Sequence, residues 1–88
     1  MKLKYNFVIN EVAGSKVAVA VGNDITKFNG FIKMNETGAE IFGLLKENIT
    51  LENLIGEMLK LYPDSDPEII KKSVIDFTEQ LKASEVLE

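Results

Sequence analysis

The chain has 88 residues, with 10 Lys+Arg against 14 Asp+Glu for a formal net charge of −4, and it is 45% hydrophobic and 27% charged. Those proportions describe one globular domain over residues 1–88 and not a disordered chain. There is no Cys and no His, which excludes disulfides, thiolate metal or iron–sulfur sites, cysteine nucleophiles and the commonest general base. The first third reads as strand. Tyr5, Phe7 and Ile9 alternate with Asn6, Val8 and Asn10, and Val17, Val19 and Val21 alternate with Ala18 and Ala20. Period-2 spacing with β-branched residues is the mark of a half-buried strand. Ala13-Gly14-Ser15-Lys16 between them predicts a tight hairpin turn. Gly22-Asn23-Asp24 ends the second strand, a looser stretch runs from Ile25 to Asn29, and Gly30 leads into a short third strand from Phe31 to Met34.

The remainder reads as helix. Asn35 suits an N-cap and Glu36 the first turn of a helix whose apolar face is Ile41, Phe42, Leu44 and Leu45. Asn48-Ile49-Thr50 breaks it. Thr50 caps a second helix, with Ile49 and Leu54 at the spacing of a hydrophobic staple. Leu51, Leu54, Ile55, Met58, Leu59 and Tyr62 recur at helical intervals, and Pro63-Asp64-Ser65 stops them. Asp66-Pro67-Glu68 opens a third helix as cap, first-position proline and first-turn acid. Its inner stripe is Ile70, Val74, Phe77 and Leu81, with Ile69, Ile75 and Val86-Leu87 beyond it. Strands followed by helices predict an α+β fold: a three-stranded antiparallel sheet with one buried face, then three helices, in a winged-helix-like arrangement. The second and third helices are placed to form a helix-turn-helix.

Little in this order carries chemistry. The acidic side chains from Glu36 to Glu88 are spread along exposed helix positions with no partner, as a solvated surface requires. Gly14, Gly22, Gly30 and Gly38 read as isolated turn glycines and not as a phosphate-binding loop. Asp64-Ser65-Asp66-Pro67-Glu68 lacks the length, central glycine and terminal glutamate of a calcium loop, and capping explains it. No cofactor or metal is expected, and a binding module is favoured over an enzyme. Lys71 and Lys72 on the third helix suggest a winged-helix DNA-binding regulator as the alternative. The net charge and the absence of Arg weigh against nucleic acid. No apolar run is long enough to span a bilayer and the N-terminus is not a signal peptide, so no membrane association and a cytoplasmic location are expected.

The segment Phe28 to Leu45, FNGFIKMNETGAEIFGLL, resembles the signature of the PqqD-like proteins. Most specific is Met34-Asn35-Glu36-Thr37-Gly38-Ala39 followed by Ile41-Phe42: an aliphatic residue, Asn, a small polar pair, a small residue and an aliphatic-aromatic pair. Val12-Ala13-Gly14, Thr50 to Leu54 and Val74 to Leu81 extend the likeness over nearly the whole chain. Ala83-Ser84-Glu85-Val86-Leu87 departs from it, lacking the glycine usual near the end. The PqqD-like proteins are small peptide-binding chaperones, also described as recognition elements for ribosomally made, modified peptides (RiPPs), and they work with radical SAM enzymes.

The resemblance implies a third strand at the sheet edge. The leader of a precursor peptide adds there as a further strand and sends side chains into a groove between the third strand and the third helix. The residues implied as peptide-binding are Phe31, Ile32, Lys33 and Met34 on the strand and Ile69, Ile70, Ser73, Val74 and Phe77 on the helix. Core packing is the competing reading for Ile70, Val74 and Phe77. Ile32 and Met34 are expected to pack under Ile41, Phe42 and Leu45, with Phe31 and Lys33 on the other face. Lys33 is the sole charge from Phe28 to Met34, which is thin protection for an edge. The expected partners are a precursor leader and a radical SAM enzyme. A third reading pairs the same edge with its twin in a homodimer.

Overall fold

β1 (Phe7–Val12) and β2 (Ser15–Ala20) form an antiparallel hairpin, and β3 (Phe31–Met34) pairs antiparallel with the other side of β2. The sheet order is therefore β1-β2-β3. The computed structural model describes residues 1–28 and 30–88; Asn29, which closes the looser stretch, lies outside the described residues. The hairpin turn is tighter than its composition predicts. Only Ala13 and Gly14 are in it, at φ 50° and 80°, while Ser15 and Lys16 already belong to β2. Two consecutive positive φ values suit the right-handed twist of the flanking strands, at a cost of roughly 1–2 kcal/mol for the alanine Cβ. β2 ends at Ala20, and the Gly22-Asn23-Asp24 stretch expected to end it forms, with Ile25, a 3-10 turn, Gly22–Ile25. The Asp24 carboxylate accepts from the Asn6 amide at 2.7 Å there, tying the turn to the start of β1.

The register decides which face is buried. Phe7 opposes Ala20, Ile9 opposes Ala18, and Ala18 opposes Ile32. Phe7, Ala18, Ala20 and Met34 are buried, so this face meets the helices. Three helices follow: α1 (Glu36–Leu44), α2 (Leu51–Leu61) and α3 (Pro67–Ala83). Each starts at the predicted cap. Asn35 accepts from Gly38 N, Thr50 from Asn53 N and Asp66 from Glu68 N, each such bond contributing about 1 kcal/mol. Ile41, Phe42, Leu45, Leu54, Met58 and Val74 are at most 1% exposed and form the centre of the core. Phe7 joins the sheet to it, its ring edge-on to Phe42 at 5.2 Å and to Phe28 at 5.4 Å. On α3 the buried stripe is Ile70, Val74, Thr78 and Leu81, and Phe77 is half-buried beside it. Thr78 can sit there because its hydroxyl donates to the Ile75 carbonyl at 3.0 Å.

Val86 and Leu87, which fall beyond the α3 stripe in sequence, are also core. α3 ends in a left-handed residue, Glu85 at φ 61°. The amides of Glu85 and Val86 donate back to the carbonyls of Lys82 and Leu81, the pattern that normally recruits glycine. The turn delivers Leu87 to an antiparallel bridge with Leu3. Lys4 N donates to Val86 O at 2.9 Å, Glu88 N to Lys2 O at 2.8 Å and Leu3 N to Leu45 O at 3.1 Å. Residues from both ends of the sequence thus close one side of the core.

Candidate functional site

β3 passes into α1 with Asn35 as the only connecting residue. Asn35 is extended (φ −85°, ψ −177°) and its Oδ1 accepts from Gly38 N at 2.8 Å. The strand-to-helix angle is therefore set by one residue whose own side chain closes the first turn. Gly38 is buried in that turn and is helical, so it is not a turn glycine as its isolation in the sequence suggests. A Cβ on it would lie 3.1 Å from Met34 Cβ, 3.2 Å from Asn35 Oδ1 and 3.4 Å from Phe77 Cε1. β3, α1 and α3 converge at this point, and the missing side chain is what lets them.

β3 alternates as expected: Phe31 and Lys33 are exposed, Ile32 is half-buried and Met34 is buried. Among the described residues no strand pairs with its second side, so one row of N–H and C=O groups remains available with only Lys33 as a charged guard. Beside it a hollow of about 270 Å³ opens between the first turns of α1 and the side of α3. Asn35, Thr37, Gly38 and Ile41 line one wall, and Ser73, Asp76, Phe77 and Gln80 the other. A shallower depression of about 460 Å³ continues past the end of β3, along Lys33–Glu36 to Gly14 and Ser15 at the hairpin turn.

The residues implied by the sequence fall into two tiers. Phe31, Lys33 and Ile69 are exposed, and Ile32, Ser73 and Phe77 are half-buried; of these six, Ser73 and Phe77 line the hollow and Lys33 the shallower depression. Met34, Ile70 and Val74 are only 7%, 6% and 0% exposed and belong to the core. Asp76 and Gln80 were not singled out by sequence, although they follow Ser73 at the i+3 and i+7 positions that share a helix face. Lys71 and Lys72 are exposed on another face, where Glu68 shares their surroundings. Among the described residues no three acidic side chains come together as metal ligands would, and no helix is long and apolar enough to cross a membrane.

Another hollow, of about 330 Å³, lies at the start of β1 among Lys2, Lys4, Tyr5, Lys46 and Glu88. Leu3 and Phe7 also line it beside Tyr5, but Leu3 and Phe7 are buried, and charged side chains stand around them.

Residues 16–87, most of the chain, match the family model described as Coenzyme PQQ synthesis protein D (PqqD). No curated protein matches the sequence. The fold is similar to that of a solved structure described as TbiB1 in complex with the TbiA(beta) leader peptide, with a TM-score of 0.70 over 100% of this chain and 95% of that one. At 20% identity that likeness concerns the fold.

Proposed function

Because the chain belongs to the family of Coenzyme PQQ synthesis protein D, we propose that it is a non-catalytic domain that binds the leader segment of a ribosomally made precursor peptide. The leader adds to the free side of β3 as a fourth strand, and the domain presents it to a separate radical SAM enzyme that modifies the precursor. The observation that carries this reading is the coincidence of an unpaired β3 edge with a hollow that has the half-buried Phe77 in its lining, among Asn35, Thr37, Ser73, Asp76 and Gln80. A chain of the same fold, TbiB1, is described in complex with a leader peptide, which supports it.

The energetics require both features. Strand addition takes affinity from backbone bonds and specificity from alternate side-chain pockets. β3 has four residues, so a guest makes about four backbone bonds at a net ~1 kcal/mol each. Micromolar binding needs about 8 kcal/mol. The missing ~4 kcal/mol corresponds to roughly 160 Å² of apolar surface at 25 cal/mol per Å², and more once ordering costs are met. One or two guest side chains against Phe77, Ile69 and Ile32 supply that area.

The test is a titration of isotopically labelled protein with the synthetic leader of the precursor encoded beside its gene. Backbone amide shifts are expected at residues 31–41 and 69–80. Shifts spread evenly over the chain, or centred on α2, defeat the assignment. The enzyme partner is tested separately: modification of the full precursor by the neighbouring radical SAM enzyme should slow when this domain is omitted.

A further inference from the structure

The two most exposed large apolar side chains among the described residues are Phe31 at 65% and Ile69 at 62%. They flank the proposed guest strand from different sides. Ile69 precedes Ser73 by one helical turn, on the α3 face that lines the hollow. Phe31 points the other way, onto the outer face of the sheet, and it does not stand there alone. Val8 opposes Val19, and Val19 opposes Phe31. Directly opposed residues on antiparallel strands share a face, so three apolar side chains cross the outer face in one row. Val8 is 40% exposed and Val19 half-buried. The next row, Asn10–Val17–Lys33, is polar at both ends, as a solvated sheet face requires. The apolar row therefore stops at the open edge with one flank of Phe31 uncovered.

A strand added to β3 cannot send all its side chains into the hollow. Its period of two places every second residue on the outer face, and one of these lies beside Phe31. We propose that the guest strand is read on both faces, and that Phe31 selects an aromatic or β-branched side chain at the outward guest position beside it. This inference rests on the peptide-binding reading above. The selected residue becomes the fourth member of the Val8–Val19–Phe31 row. Cross-strand aromatic contacts of this kind shift affinity by about two- to tenfold, so the row sharpens specificity without dominating the grip.

The experiment pans a display library of random peptides, about 12 residues long, against the protein and against Phe31→Thr. Thr keeps β-propensity, and a side chain this exposed can be changed without unfolding the sheet, which a thermal melt verifies. Peptides enriched on the unaltered protein should carry two interleaved apolar sets, one per face, each repeating every second residue. Phe31→Thr should erase one set and leave the other. For the best peptide, Phe31→Thr and alanine at the outward position should each weaken binding about fivefold, and together little more than either alone. Enrichment of a single alternating set on the unaltered protein overturns this inference and leaves the peptide-binding reading standing. Enrichment of no strand-like pattern overturns that reading and the inference with it. A Phe31→Thr effect confined to sedimentation of the free protein would mean that the row covers a second copy, and this too overturns the inference.

Discussion

The sheet has two outer strands, β1 and β3, and both lack a second partner among the described residues. β1 is longer, six residues against four, and by backbone hydrogen bonding alone it is the better template for strand addition. Its side chains carry Val8 and Val12 at 40% and 57% exposure, so apolar surface alone does not separate the two strands either. The difference lies in what stands beside each. β3 runs into α1 where Gly38 lets α3 approach, and the hollow that opens there has the half-buried Phe77 ring in its lining, with buried Ile41 behind and polar side chains around it. The hollow at the start of β1 has Leu3, Tyr5 and Phe7 in its lining, but Leu3 and Phe7 are buried and Lys2, Lys4 and Lys46 stand among them. An open edge supplies only part of a binding site; the rest is an apolar wall within reach of the incoming strand's alternate side chains.

That contrast can be broken most forcefully at the convergence point. Gly38→Val puts Cβ and two further methyl groups where Met34 and Phe77 already crowd. Urea denaturation should show a loss of about 2–3 kcal/mol, with leader binding lost as the hollow closes. Unchanged stability would mean that the three elements are not held by the absent side chain. Next in size is a matched pair. Ile69→Glu beside the hollow and Val12→Glu on β1 replace side chains of similar exposure, 62% and 57%. Fluorescence anisotropy with labelled leader should show about a tenfold loss for the first, equivalent to ~1.4 kcal/mol, and less than twofold for the second. Equal losses would erase the distinction between the two edges. Glu85→Gly removes a left-handed Cβ at the end of α3, far in sequence from both outer strands. It should raise stability by about 1 kcal/mol and leave leader affinity unchanged. The smallest effect is expected from Ala13→Asn in the hairpin turn, where Asn tolerates positive φ better. A gain of about 0.5 kcal/mol in the thermal melt, again without altered affinity, would place β1 in the scaffold and not in the site.

Much of this molecule is written in local signals. Asn35, Thr50 and Asp66 each cap the helix that follows because a short polar side chain and the orphan amides it satisfies lie within three residues of one another. The β3 alternation and its abrupt passage into α1 are equally short-range, which is why the α+β order and the Phe31–Met34 edge can be read directly. The readings that needed structure involve distant partners. Val86 and Leu87 look like a polar helix's loose end until Leu3 is seen across from Leu87. Glu85 shows no outward sign of the left-handed conformation it adopts. Asp76 and Gln80 look like ordinary solvated residues because the opposite wall, Asn35 and Thr37, is 39 to 45 positions away in the chain. Ile70 and Val74 are ambiguous by spacing alone, and their burial in the core becomes visible only in three dimensions.

The brevity of β3 has a kinetic consequence. Four residues extend only about 13 Å, so a guest held there is easily released. A complex with a dissociation constant near ~1 µM and an association rate near ~10⁶ M⁻¹s⁻¹ falls apart about once per second. In the proposed role, such a dwell would let one precursor be handed over and the next one take its place.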